Sequence, residues 1–380
     1  MRIRSRRIVC PGETLDGYVV VEGGAISWVG PALDAPPAGA EQMLDLGDRW
    51  VVPGYIDPHV HGGGGAECNA SDPDEIEAVA RFHARHGTTG LVATTVAAPM
   101  EELESALDAI ARCNAPTLLG AHLEGPFLSP RRPGAMAPEQ FLEPNLEQLR
   151  RLLEAGSGRV RVMTLAPELP GATALVQRLA RERIVASIGH TDATDAEVRA
   201  AVEAGATSVT HVFNAMAPLH HRDPGAVGAV LDLPELSCEL ICDGIHVDPV
   251  AMRLLFRAKG VSGTRLVTDA MSAAGMPDGE YRLGGRRVSV AGGRAVLAGG
   301  SSIAGSTLTM ERAVQNAVRH IGVSVQEAIT MASTNSARLL GIEGRKGEIS
   351  AGSDADLAVL DETLAVQATM VAGQWLFGAP

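Results

Sequence analysis

The chain has 380 residues, 46% of them hydrophobic, and a formal charge of −13. That charge disfavours nucleic acid, whose phosphate backbone needs a positive surface, and allows an anionic small molecule only where positive charge is gathered locally. No apolar run is long enough to cross a bilayer, and the basic start, Met1 to Arg7, has no apolar segment behind it, so a cytoplasmic protein away from membranes is expected.

Residues 1–50 read as short strands parted by turns, at 2–9, 18–22, 25–29 and near 41–46, with Gly23-Gly24 as a hairpin signal. Residues 355–360 and 369–377 are strand-like again. The two ends, 1–50 and 350–380, are expected to pair into one small β-sandwich domain. Between them, over 51–349, strands and helices alternate. Candidate strands are 51–59, 90–96, 117–124, 160–166, 185–190, 208–213, 239–243 and 265–269; candidate helices are 73–86, 101–113, 146–154, 172–182, 195–204 and 249–258. Eight strands with helices between them predict an α/β fold, a TIM-like (β/α)8 barrel. An open doubly wound sheet is the competing architecture, but no Gly-x-Gly-x-x-Gly follows the first strand. Residues 280–297 read as a hairpin inserted after the eighth strand, with helices at 308–321, 325–332 and 335–340 behind it. Cys10, Cys68, Cys113, Cys238 and Cys242 form no Cys-x-x-Cys, which supports neither a disulfide framework nor a zinc ribbon.

In such a barrel the active site lies at the C-terminal strand ends. The first end carries His59 and His61, which point the same way because side chains alternate along a strand, so both can hold one metal ion. Later ends carry Glu124, His190, His211 and Asp269. This donor set suits zinc, iron, manganese or cobalt, and it exceeds what one catalytic zinc uses. Two ions bridged by Glu124 would use it more naturally. Singly, His190 could cap a helix beside Thr191 and Asp192, and Asp269 could be a turn residue. Their agreement across five strand ends is what argues for a metal site. His83, His86 and His320 fall on predicted helices and read as surface or packing residues. His122 shares the inward face with Glu124 and reads as barrel filling or as support behind the ligands.

The segments PGYIDPHVHG, HLEGPFLSP, IGHTDA, THVFNAMAPL, CDGIHVD, LVTDAM and AGSTLTM, from residue 53 to about 310, resemble the amidohydrolase superfamily, and within it the N-acetylglucosamine-6-phosphate deacetylases. The ending NSARLLGIEGRKGEISAGSDADLAVLD resembles the superfamily's return into its β-domain. The resemblance implies metal-dependent hydrolysis of N-acetylglucosamine 6-phosphate to glucosamine 6-phosphate and acetate. It makes Glu124, His190 and His211 core metal ligands and Asp269 the catalytic acid and base. It further implies that backbone amides at Asn214 and Ala215, with Arg222 and His246, hold the sugar phosphate, partly from the neighbouring subunit of a homodimer. Many amidohydrolases bridge two ions with a carboxylated lysine. Here the only lysines, Lys259 and Lys346, lie away from strand ends, so Glu124 would supply the bridge. Some members of the family lack the His-x-His pair and hold one ion; this chain keeps it, so two are expected, zinc foremost. His220-His221-Arg222 and Arg131-Arg132 would supply the local positive charge. Met136 stands where the family has a substrate-contacting histidine, which leaves the sugar and acyl group open: N-acetylgalactosamine 6-phosphate or another N-acyl amino sugar is the alternative. A metal-free interaction protein is the alternative outside catalysis, and it places no demand on six converging ligands.

Overall fold

The computed structural model describes residues 1–35 and 42–379. Eight parallel strands make the central sheet: β1 (Tyr55–Val60), β2 (Thr88–Val96), β3 (Leu118–Glu124), β4 (Val160–Leu165), β5 (Val185–Ile188), β6 (Ser208–Val209), β7 (Ser237–Ile241) and β8 (Thr264–Val267). Each pairs with the next in chain order. A bridge between Val60 and Ala270 brings the last strand's end back to the first, and Thr268 Oγ1 donates to Asp57 Oδ2 at 2.6 Å across the same seam. The sheet is the expected barrel. Its strands read as near-continuous apolar runs because helices cover one side and the barrel interior fills the other.

The helices begin where the sequence offers side-chain caps. The Asp72 carboxylate accepts the Asp74 N–H ahead of Pro73–Ala84, and Thr194 and Glu197 form a capping box at the start of Asp195–Ala204. A helix at Gly225–Asp232 went unseen, since its run of Gly, Ala and Val carries no polar face to set a period. The expected helix at 308–321 is Met310–Asn316, continued by a wider turn over Ala317–Ile321.

A second sheet takes strands from both ends of the chain, in the order Gln374–Phe377, Val366–Val371, Leu357–Leu360, Trp50–Pro53, Arg2–Cys10, Glu13–Glu22 and Ala25–Pro31, with Met43–Asp45 also on Arg2–Cys10. Of the strand expected near 41–46, Glu41 lies outside the described residues. The expected strand at 51–59 is in fact two strands in two sheets: Trp50–Pro53 runs antiparallel to Leu357–Leu360, while Tyr55–Val60 enters the barrel. Gly54 makes the crossing, and a Cβ there would sit 2.1 Å from the Thr89 side chain. An apolar run with no polar residue at the break hides this change of sheet.

Residues 279–297 form three antiparallel strands, Gly279–Leu283, Arg286–Ala291 and Arg294–Leu297, whose apolar side packs on Val96, Leu128 and Met136 beside the barrel mouth. Among the described residues no helix is long and apolar enough to cross a membrane.

Candidate metal centre

The six expected ligands meet at the C-terminal mouth of the barrel. They form two groups, His59 with His61 and Asp269, and Glu124 with His190 and His211. In the first, His61 Nε2 lies 3.1 Å from Asp269 Oδ1 and 3.1 Å from His59 Nε2. In the second, Glu124 Oε1 lies 3.1 Å from His190 Nε2 and 2.9 Å from His211 Nε2, and the two Nε2 atoms are 3.1 Å apart. Glu124 spans both groups, because its Oε2 is 3.2 Å from His61 Nε2.

The expected strands at 185–190, 208–213 and 265–269 stop short of their ligands. β5, β6 and β8 end at Ile188, Val209 and Val267, and then His190 (φ 47°), His211 (φ 28°) and Asp269 (φ 50°) take left-handed backbone. Non-glycine residues rarely adopt it, and such conformations cluster where a site dictates the geometry. The turns carry these three side chains out of the sheet's alternation and aim them at one point.

Tautomers can be assigned from the far side of the rings. A backbone carbonyl only accepts, so His61 Nδ1, 3.1 Å from Thr94 O, and His190 Nδ1, 3.0 Å from Arg132 O, each carry the proton. Their Nε2 lone pairs then face other donor atoms at hydrogen-bond distance, an arrangement that needs positive charge between them. The electrostatics agree. Burial pulls His61 down, but the Asp269 and Glu124 carboxylates outweigh it and push the ring up to about 9. Burial likewise opposes ionisation of Glu124, yet the surrounding histidines hold it well below the usual carboxylate range. A site that attracts a proton this strongly attracts a divalent cation by the same field, so the residues present fit a metal.

A cavity of about 270 Å³ opens above the ligands. Its polar side carries His61, Glu124, His190, His211 and Asp269; Asn214, Ala215 and His246 line it too, and Val96, Met136, Leu283 and Ile303 make it apolar elsewhere. Gly134 (φ +59°) brings its loop so near that a Cβ would sit 3.0 Å from His190 Cε1. His246 is fixed by Asp243, whose Oδ2 lies 2.6 Å from His246 Nδ1.

Arg222 is not in this group. It is exposed, outside the cavity, and its guanidinium bonds His221 Nε2 at 2.8 Å. Arg131 and Arg132 both pair with Asp192, at 2.9 and 2.7 Å, so one carboxylate is shared between two guanidiniums and offsets only part of their charge. Lys259 is spent on the carbonyls of Val230 and Leu233, and Lys346 on Asp354 and Asp356, so neither lysine reaches the centre. His122 sits behind the ligands, its ring 4.8 Å from that of His59 and its Nε2 2.7 Å from Thr164 Oγ1. His83 is buried, with Nε2 3.0 Å from Gly62 O, and His86 pairs with Glu311.

Sequence reasoning passed over Glu239, Arg265 and Asp57. Glu239 Oε2 takes His59 Nδ1 at 2.9 Å, Arg265 is wholly buried behind it, and Asp57 is pushed up to about 7 by burial, against hydrogen bonds from Thr268 and His59. The available signal was a charged residue inside each of three otherwise apolar strands.

The model of the Amidohydrolase family matches residues 50–376. An N-acetylgalactosamine-6-phosphate deacetylase of Escherichia coli O157:H7 is 39% identical over 98% of each chain. An N-acetylglucosamine-6-phosphate deacetylase of Bacillus subtilis (strain 168) is 36% identical over 99% of this chain and 96% of its own. Among solved structures, an N-acetyl-D-glucosamine-6-phosphate deacetylase variant from Mycobacterium smegmatis, in complex with N-acetyl-D-glucosamine-6-phosphate, superposes with TM-score 0.94 at 41% identity, covering 99% of both chains.

Proposed function

The chain belongs to the amidohydrolase family, and from that premise we propose that it is a metal-dependent deacetylase converting N-acetylglucosamine 6-phosphate to glucosamine 6-phosphate and acetate. The observation that carries the proposal is the pair of buried three-residue groups, joined by Glu124, at the floor of a cavity with both polar and apolar lining. His59, His61 and Asp269 would hold one divalent ion and Glu124, His190 and His211 a second, with zinc the first choice. Such ions supply Lewis acidity and bring the pKa of bound water from ~15.7 toward ~7.

The chain's own residues orient the amide and move the proton. Asp269 accepts a proton from the attacking water and returns it to the amine nitrogen as the C–N bond breaks, one carboxylate serving as base and then acid. Its place beside His59 and His61 keeps it ionised: desolvation disfavours its charge, but the two rings hold it below the usual carboxylate range. The backbone at Asn214 and Ala215, with His246, would receive the sugar phosphate, and Met136, Val96 and Leu283 would face the acyl methyl. Arg222, exposed on its own chain, would complete a phosphate site across a homodimer. The exposed Leu219, Ile245, Val250 and Leu254, in the same stretch of chain, are apolar surface that such an interface would cover. A cytoplasmic setting fits a phosphorylated sugar as substrate.

The Escherichia coli relative favours a second reading, N-acetylgalactosamine 6-phosphate as substrate. Acetate release from both 6-phosphates and from both unphosphorylated sugars, with the metal content of the same preparation, tests the proposal. Turnover of neither phosphorylated sugar by metal-loaded protein would overturn it.

A further inference from the structure

The four histidine rings at the mouth are treated unequally on their far sides. His61 and His190 turn Nδ1 to backbone carbonyls, and His211 Nδ1 has no hydrogen-bond partner among the described residues. Among the described residues only His59 meets a carboxylate there, Glu239 Oε2 at 2.9 Å, with both side chains 0% exposed. The same oxygen accepts the backbone N–H of His211 at 3.1 Å. One atom thus holds a member of each ligand group.

A buried ion pair with Arg265 is the plainer explanation of Glu239, and the geometry disfavours it. Arg265 Nη2 stands 3.9 Å from Glu239 Oε1 and gives its hydrogen bond to Ser208 Oγ at 2.7 Å. Among the described residues, Glu239 Oε1 and Arg265 Nε and Nη1 make no hydrogen bond. A pair built for stability would be in direct, two-pronged contact. Arg265 instead stands at a distance, with its nearest guanidinium nitrogen 3.9 Å from the carboxylate.

We propose that Glu239 is a positioning residue for the metal centre. It fixes His59 as the Nδ1–H tautomer with the Nε2 lone pair turned to the mouth. Drawing the Nδ1 proton toward a carboxylate raises the electron density of the ring and makes His59 the strongest imidazole donor of the four. Through the His211 N–H it also sets where the second group stands, so the spacing of the two ion positions depends on one side chain. The inference rests on the metal-dependent reading of the site.

The test is metal affinity, measured by titrating metal-stripped protein with Co²⁺ or Zn²⁺ against a chromophoric chelator. Glu239→Gln can keep an oxygen at the Oε2 position without its charge. Two ions should still bind, one of them about 10-fold more weakly. Glu239→Ala frees the ring, and the ion on His59, His61 and Asp269 should weaken by about 10–100-fold, with the matching loss in the Co²⁺ absorption spectrum. Because Arg265 would then be stranded, Glu239→Ala is also made with Arg265→Met, and the thermal melt of the metal-free form checks that each variant is folded. Folded double variant that binds both ions within about threefold of the unmodified chain would overturn the inference, since the typical loss of such a partner is larger. An unmodified chain that binds no ion would overturn the metal-dependent reading itself, and that failure is seen before any variant is compared.

Discussion

Asp269→Asn isolates proton transfer from everything else this residue does. Asp269 has φ 50°, a left-handed conformation that Asn tolerates nearly as well as Asp, so the turn after β8 should survive. Its main chain is held independently of the side chain: Asp269 N donates to His59 O at 2.9 Å, and Asp269 O accepts from Ser306 N at 2.7 Å. The amide oxygen can occupy the position of Oδ1, which faces His61 Nε2 at 3.1 Å and His59 Nε2 at 3.5 Å. What vanishes is the ability to take a proton and give it back. General acid–base help is worth ~10²–10⁴-fold, or roughly 3–5 kcal/mol of barrier. Turnover of N-acetylglucosamine 6-phosphate should therefore fall by at least about 100-fold while the metal content, read by elemental analysis of the same sample, stays near that of the unmodified protein. A loss of less than about tenfold with metal retained would refute the proton-transfer role.

His59→Ala combined with His61→Ala should lower the metal content from about two ions to about one, because Glu124, His190 and His211 remain to hold the second; unchanged stoichiometry would show the pair to be structural. Arg222→Ala should cut kcat/KM for the phosphorylated sugar by at least about tenfold and leave the weak activity on unphosphorylated N-acetylglucosamine nearly unchanged, as expected for a lost phosphate partner. Equal losses on both substrates would mean that Arg222 supports the fold or the interface rather than the phosphate. For stability, burial pushes His83 down to about 4, against the opposing hydrogen bond to Gly62 O, whereas an unfolded histidine titrates near 6.5. The unfolded chain binds the extra proton between those values, so this stability is fully present above pH ~6.5 and is lost as pH falls toward ~4, by roughly 2–4 kcal/mol. His83→Gln, which keeps a donor for Gly62 O, should flatten that dependence in denaturant melts of metal-free protein at pH 7 and pH 5; identical slopes for the two proteins would count against it.

The barrel was legible because its strands are apolar, short and evenly interrupted by amphipathic helices, a pattern that local spacing carries by itself. Ligand candidates were legible for a related reason: a histidine or carboxylate at the end of an apolar run has few ordinary uses. Glu239 and Arg265 escaped because spacing says nothing about partners on neighbouring strands. They lie side by side in the register of β7 and β8, yet they are distant in sequence. Arg222 is a different case. The resemblance suggested a phosphate contact shared with a neighbouring subunit, and within one chain Arg222 lies outside the cavity.

The early ends of β5, β6 and β8 show why alternation fails nearest the chemistry. A regular strand sends successive side chains to opposite faces, so alternation alone fixes which residues face the barrel axis. His59 and Glu124 reach the mouth from within their strands under that rule. His190, His211 and Asp269 leave it by adopting left-handed backbone, at roughly 1–3 kcal/mol each. The surrounding bonds hold them there: His190 O accepts from Ser129 N, Thr191 N reaches Ala215 O, and Ser306 N reaches Asp269 O. Strain of this size persists only where other contacts over-determine it, and here those contacts come from the loops that also line the cavity. The loops therefore do two things at once, aiming the ligands and shaping the space above them. A substitution that relaxes one of these turns should consequently disturb metal and substrate together.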